Sequence, residues 1–140
     1  MAKIVNSEVT GDETYRFLSL LYRYAGKVED ANSPIDIIRM LGGNDLALIG
    51  SYINDKPVGY ILVEPQGEEA VMLQAYSQDS KCSKPMFRYL CKWALKQGFE
   101  RVAGYTKRSP KAWKRKYDLD IIEYKIGKEL IDYGIEASKK

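Results

Sequence analysis

Histidine is absent from this chain, cysteine occurs twice and proline five times in 140 residues. The missing imidazole removes Ser-His-Asp and Cys-His nucleophilic sites and most zinc chemistry. Acid–base work near neutral pH then falls to Glu, Asp, Tyr, Lys, Cys or water. Cys82 and Cys91 match no metal-ligand spacing. Cys91 falls inside a predicted helix and Cys82 just before it, a placement that disfavours a bridge. Both read as reduced thiols, and the protein as cytoplasmic. No apolar run approaches a membrane span, and the opening Met-Ala-Lys-Ile-Val-Asn lacks the apolar core of a signal peptide. Neither sign of charge is in large excess: the net charge is +3, too small by itself to demand a nucleic-acid partner. Repeats, low-complexity tracts and linkers are also missing, so residues 1–140 read as a single domain.

What is present is an ordered series of amphipathic segments. Thr10-Gly11-Asp12-Glu13 has the form of a capping box and opens a helix to about Tyr24, with Phe17, Leu21 and Tyr24 on one face. Ser33-Pro34-Ile35-Asp36 opens another, burying Ile35, Ile38 and Leu41 and ending at Gly42-Gly43. Leu46 to Ile53 and Val58 to Val63 form a hairpin through Asn54-Asp55-Lys56-Pro57. Ala70 to Tyr76 is a central strand, with Val71, Leu73 and Ala75 alternating against Met72, Gln74 and Tyr76. Ser83 to Gln97 is the clearest helix, its stripe formed by Met86, Phe87, Leu90, Trp93 and Ala94 and its stop by Gly98. Arg101 to Thr106 is a strand, Ser109 to about Tyr117 a short helix, and Ile121 to Ile126 a further strand. Residues 130–136 suit an edge strand, while Lys3 to Gly11 and the Ser138-Lys139-Lys140 tail look loosely organised. The strand–helix–strand unit from Ala70 to Thr106 needs a right-handed crossover if its strands are parallel neighbours. The loop at its first turn then joins a strand's carboxyl end to a helix's amino end, where α/β sheets bind anions.

Across about residues 46–128 the order of these parts resembles the GNAT superfamily of acyl-CoA-dependent N-acyltransferases. The resemblance is carried by Asp55-Lys56-Pro57-Val58-Gly59-Tyr60, by the strand and loop from Leu73 through Ser83, by Trp93-Ala94-Leu95-Lys96-Gln97-Gly98-Phe99 at the helix exit, and by Thr106 through Leu119. It implies an α/β fold with a mixed, mostly antiparallel sheet and flanking helices. It also implies transfer of an acyl group, expected to be acetyl, from acetyl-CoA to a small-molecule or protein amine. In such proteins the central strand diverges from its neighbour and offers main-chain groups to the pantetheine arm, and loop N–H groups at the helix start hold the pyrophosphate.

Carried onto this chain, the resemblance puts the coenzyme contacts at Gln78, Asp79, Ser80, Lys81, Cys82 and Ser83, with Gln74 and Tyr76 near the thioester end. The family's Gln/Arg-x-x-Gly-x-Gly/Ala loop keeps only Gln78. Lys81 and Ser83 stand where small residues belong, and Asp79 adds an anion beside the expected pyrophosphate. Lys81 either blocks the site or binds phosphate itself. Tyr117 is a candidate acid for the leaving thiolate, one residue out of register with the family's tyrosine; the alternative is a packing role. Glu64, Glu68 and Glu69 are candidate bases acting through water, or solvated strand ends. Cys82 has a helix-start position but no supporting histidine, which favours an incidental small residue. No metal is expected.

Lys107, Arg108, Lys111, Lys114, Arg115 and Lys116 place six basic residues in ten around Trp113. A nucleic-acid contact, a phosphate site and a solvated helix face are all consistent with that run. The second functional reading is therefore a non-catalytic GNAT-like binding or structural protein, similar to small GNAT-like proteins of bacteriophages. That source would put it in the host cytoplasm.

Overall fold

The structure, a computed structural model, describes residues 3–27, 33–43, 45–105, 120–122 and 125–129. Along the chain run β1 (Ile4–Val9), a 3-10 segment (Gly11–Phe17), α1 (Leu18–Lys27), α2 (Pro34–Gly42), β2 (Ala47–Ile53), β3 (Lys56–Gln66) and β4 (Glu69–Ser77). A 3-10 turn (Ser80–Cys82), α3 (Ser83–Lys96), β5 (Arg101–Tyr105), β6 (Asp120–Ile122) and β7 (Lys125–Glu129) follow. The described strands form one seven-stranded sheet in the order β1-β2-β3-β4-β5-β7-β6. Every neighbouring pair is antiparallel except β4 and β5, which are parallel. That is the mixed, mostly antiparallel α/β sheet expected.

The β2–β3 hairpin shows how local chemistry sets register. Asn54 (φ 52°) and Asp55 (φ 62°) are its two central residues, with Ile53 opposite Lys56. Positive φ at both positions is the demand of a type I′ turn, which Asn and Asp meet better than most side chains. Pro57 stands opposite Tyr52, next to the turn-closing Ile53–Lys56 pair and before the β4 ladder begins at Gly59–Ser77, so its missing N–H breaks no ladder.

Two cores sandwich the sheet. On one face α3 lays Met86, Phe87, Leu90, Cys91 and Ala94 over Ile49, Ile61, Val63, Ala70 and Val102. Its exit is a Schellman motif. Gly98 takes φ 91°, its N–H reaches the Leu95 carbonyl, and the Phe99 N–H reaches the Ala94 carbonyl. The Phe99 ring closes the motif against Trp93, with centroids 6.1 Å apart. On the other face Phe17, Leu20, Leu21 and Ile37 cover Val9, Leu48, Tyr52, Tyr60 and Leu62. Phe17 lies directly on Gly50, where a Cβ would come within 2.5 Å of the ring.

Several sequence expectations need correction. Residues 4–9 are not loose but form an edge strand, paired from Ile4–Ile53 to Val9–Leu48. The sequence Ile-Val-Asn-Ser-Glu-Val has little alternation of its own, so the long β2 partner supplies the order. The Thr10 side chain makes no cap bond, Gly11 enters at φ 59°, and the following turns are 3-10. Glu13 pairs with Arg16 at 2.8 Å instead of closing a capping box. Ser33 likewise makes no side-chain cap. In α2 the buried residues are Pro34 and Ile37, while Ile35 is exposed. The strand expected over 121–126 is two strands, β6 and β7, with Ile122 opposite Lys125. The short helix from Ser109 to Tyr117 and the edge strand at 130–136 lie outside the described residues.

Candidate functional site

The site is built where β4 parts from β5. Their parallel ladder runs from Glu69–Arg101 to Met72–Gly104, yet β4 continues five residues further, to Ser77. Over Leu73 to Ser77, β4 has no partner on its β5 side among the described residues. On its other side the ladder to β3 persists, through Leu62–Gln74 and Tyr60–Tyr76 to Gly59–Ser77.

A β-bulge marks the parting. Val63 pairs with Met72 but Leu62 with Gln74, leaving Leu73 as the extra residue. The insertion shifts the side-chain alternation by one. Leu73 and Tyr76 both pack on the α1/α2 core, and Gln74 projects toward the same side, beneath Tyr60. The simple alternation of Val71, Leu73 and Ala75 against Met72, Gln74 and Tyr76 is thereby corrected, because an unbulged strand cannot point Leu73 and Gln74 the same way.

Polar and aromatic groups collect at this end of β4. The buried Tyr60 hydroxyl donates to Gln74 Oε1 at 2.9 Å, and Gln74 is itself buried. Tyr24 lies edge-on to Tyr60 (centroids 6.4 Å apart) and Tyr76 lies tilted to it (6.2 Å). Burial, with smaller contributions from Tyr24 and Tyr76, pushes the Tyr60 phenol far above its ordinary value, so it stays protonated and a hydrogen-bond donor across the physiological range. At the sequence level Tyr60 stands only as the aromatic after Val-Gly in the resemblance, with no site role, since an aromatic in a strand reads as core.

The loop from Gln78 to Ser83 begins α3, as expected, but most of its N–H groups already have acceptors. The Gln78 N–H goes to the Val58 carbonyl at 2.8 Å and that of Asp79 to Ser77 Oγ at 3.2 Å. The Lys81 N–H goes to Asp79 Oδ1 at 2.9 Å, and that of Cys82 to the Asp79 carbonyl at 3.0 Å. The Ser83 N–H goes to the Ser80 carbonyl. Asp79 thus caps the turn with its own carboxylate, using a donor that an anionic ligand would need. The Lys81 side chain is exposed, and Cys82 is a fully buried free thiol.

The candidate bases lie further back. Glu64 sits on β3 opposite Val71, two residues from Leu62, which is level with Gln74. That is roughly 7 Å along the strand, a span one or two waters can bridge. Gln66 Nε2 donates to it. Glu69 starts β4 and pairs with Arg101 at 3.7 Å, so its charge is already matched. Glu68 is exposed in the β3–β4 turn, its carbonyl accepting from the Glu100 N–H at 2.8 Å. Tyr117 and the basic run, Lys107, Arg108, Lys111, Lys114, Arg115 and Lys116, lie outside the described residues.

A hollow of about 570 Å³ occurs elsewhere, at the β1–β2 edge, lined by Ser7, Glu8, Glu13, Arg16, Tyr52 and Asp55 among others. Arg16 is satisfied within it: it bonds Glu13 and the Asp55 carbonyl and lies over the Tyr52 ring. Among the described residues no group of acidic or thiol side chains could hold a metal ion, and no helix is long and apolar enough to cross a membrane.

No protein-family model and no curated protein matches the sequence. Solved structures do match the fold. An aminoglycoside 6′-acetyltransferase type Ii superposes with a TM-score of 0.76 at 15% identity, over 90% of this chain and 97% of that one. An N-acetyltransferase from Staphylococcus aureus Mu50 gives 0.75 at 13% identity, over 93% and 99%. The PaiA N-acetyltransferase from Thermoplasma acidophilum, in complex with coenzyme A, gives 0.66 at 13% identity, over 91% and 99%. At these identities the likeness concerns architecture: the chain has the fold of the GNAT acetyltransferases.

Proposed function

We propose that the protein is an acyl-CoA-dependent N-acyltransferase that moves an acetyl group to an amine. The observation that carries this reading is the parting of β4 from β5 at the Leu73 bulge. It leaves a run of main-chain donors and acceptors, Leu73 to Ser77, leading from the buried Gln74 to the start of α3. That run suits a pantetheine arm, whose amides need strand-like partners. The loop after it suits the diphosphate once Asp79 moves aside, with Lys81 as an added cation.

In the reaction the amine nitrogen attacks the thioester carbon, the C–S bond breaks, and the thiolate leaves with the electron pair. Positioning and hydrogen bonding to the developing oxyanion lower the barrier. Glu64 is the carboxylate best placed to take the amine proton, through water. The thiolate is protonated by Tyr117 or by solvent. Tyr60 is unsuited to that task, because its phenol is held too weakly acidic.

Thermal denaturation with acetyl-CoA tests the proposal. A ligand at about 100 times its Kd adds roughly 2.7 kcal/mol to the folded state, a rise of several degrees in Tm. Release of free thiol with a panel of amines then identifies the acceptor. An unchanged Tm at millimolar acetyl-CoA overturns the proposal and favours a second reading, a non-catalytic member of the fold. The self-capped loop, in which Asp79 occupies the Lys81 N–H, is the observation that supports that reading.

A further inference from the structure

Gln74 is buried at 6% relative exposure, yet its side chain has one hydrogen bond among the described residues, the one Tyr60 donates to Oε1. A primary amide carries two N–H donors on its nitrogen, and Nε2, unlike the fully enclosed Trp93 Nε1, is not sealed from solvent. Gln74 follows the bulged Leu73 directly, at the level where β5 has already left β4. Gln74 therefore stands at the inner end of the free main-chain run, and its Nε2 has no protein acceptor among the described residues.

Resting on the acyl-CoA reading above, we propose that Tyr60 is a positioning residue that fixes the Gln74 amide, so that Gln74 Nε2 donates a hydrogen bond to the thioester carbonyl oxygen of the bound acyl-CoA. The amide can turn over about its last torsion, which exchanges an acceptor for a donor at the cleft. In the structure the Tyr60 hydroxyl donates to Oε1, the orientation that leaves the Nε2 donors for a ligand. That donation persists across the physiological pH range, because a phenol buried among Tyr24 and Tyr76 stays protonated. Negative charge develops on the carbonyl oxygen as the amine attacks, so a fixed donor there strengthens toward the transition state.

The test compares acetyl-CoA with coenzyme A by calorimetry, for the parent, Gln74→Met and Tyr60→Phe. Coenzyme A retains the pantetheine amides but lacks the acyl carbonyl. The parent is expected to prefer acetyl-CoA, and each variant to lose about fivefold of that preference while its coenzyme A affinity stays unchanged, the size of one net hydrogen bond. Infrared spectra with carbonyl-labelled acetyl-CoA supply a signature that a merely structural Tyr60 would not move. The bound carbonyl stretch should be lowered in the parent and return toward its solution frequency in Tyr60→Phe. Should Gln74→Met not fold, Gln74→Glu serves instead, since it retains an acceptor for Tyr60 and removes the amide donors. Equal weakening of both ligands, or an unchanged preference and stretch, overturns the proposal while the coenzyme reading stands. Absence of binding by the parent overturns both.

Discussion

Asp79→Asn should tighten acetyl-CoA binding. In the folded protein Asp79 Oδ1 accepts the Lys81 N–H at 2.9 Å, so its charge occupies the position a diphosphate oxygen would take. When the ligand arrives, the carboxylate must leave that donor and remain nearby. Two unit charges about 5 Å apart repel by roughly 1–3 kcal/mol at effective dielectric constants of about 80 to 20. Asp79 is half-buried, which argues for the better-screened part of that range. The expected gain is about tenfold in Kd, each 1.4 kcal/mol being tenfold. Asn caps helices about as well as Asp, so folding stability should change by a few tenths of a kcal/mol at most. Calorimetry with acetyl-CoA at about 0.05 M and 0.5 M salt checks both parts, because screening should shrink the gain at high salt. Lys81→Glu supplies the opposite sign, with affinity falling more than tenfold. An Asn variant that binds no tighter than the parent, or a gain indifferent to salt, refutes the argument that the Asp79 carboxylate competes with the ligand.

Gly59→Ala should destabilise the protein by about 1–3 kcal/mol, an overpacking cost, because a Cβ there would lie 2.9 Å from the Tyr76 carbonyl oxygen. Urea denaturation reads the change, and equal midpoints for the two proteins would contradict it. A pH dependence follows from Tyr60, whose folded-state pKa is raised above its unfolded value of about 10. Its contribution is complete below about pH 10 and is lost as pH rises toward the folded-state value, with a slope of up to about 1.4 kcal/mol per pH unit. Denaturation from pH 9 to 11 should show that slope in the parent and less of it in Tyr60→Phe; parallel curves would contradict the reading. If Lys107 to Lys116 contacts duplex DNA, three or four phosphate contacts should give a log–log salt slope near about −3. A flat salt response, or retention unchanged by replacing Lys114 and Arg115, would leave the run a solvated face.

The helix α3 and its surroundings were legible because their signals are local. The stripe of Phe87, Leu90 and Ala94, the Gly98 stop and the Asn54-Asp55 turn each act within a few residues. The loop's departure from a glycine-rich pattern was equally plain. Three features depend on partners distant in sequence and were not legible. The edge strand β1 owes its order to β2, and the Leu73 bulge exists only relative to β3. The Tyr60–Gln74 bond joins residues fourteen apart whose facing is set by that bulge. Capping was over-read at Thr10 and Ser33, since a suitable side chain at the right position does not ensure the bond. Asp79, noted at the sequence level for its charge, turned out to make the cap itself.

The short parallel ladder between β4 and β5 makes the sheet behave as two plates welded over a few residues. One plate is the β1–β4 meander with α1 and α2; the other is β5, β7 and β6, and α3 lies across the weld on Ala70 and Val102. The weld has four pairs against six to eight in each ladder of the meander, so it should open at a lower free energy than the meander does. Its amides, from Ala70 to Met72 and from Val102 to Gly104, should then exchange hydrogen through that partial opening while the meander stays closed. A molecule lying in the gap beyond Met72 would brace the two plates against each other. It would slow exchange at amides it never touches, because whatever binds only the closed form stabilises every contact that form requires.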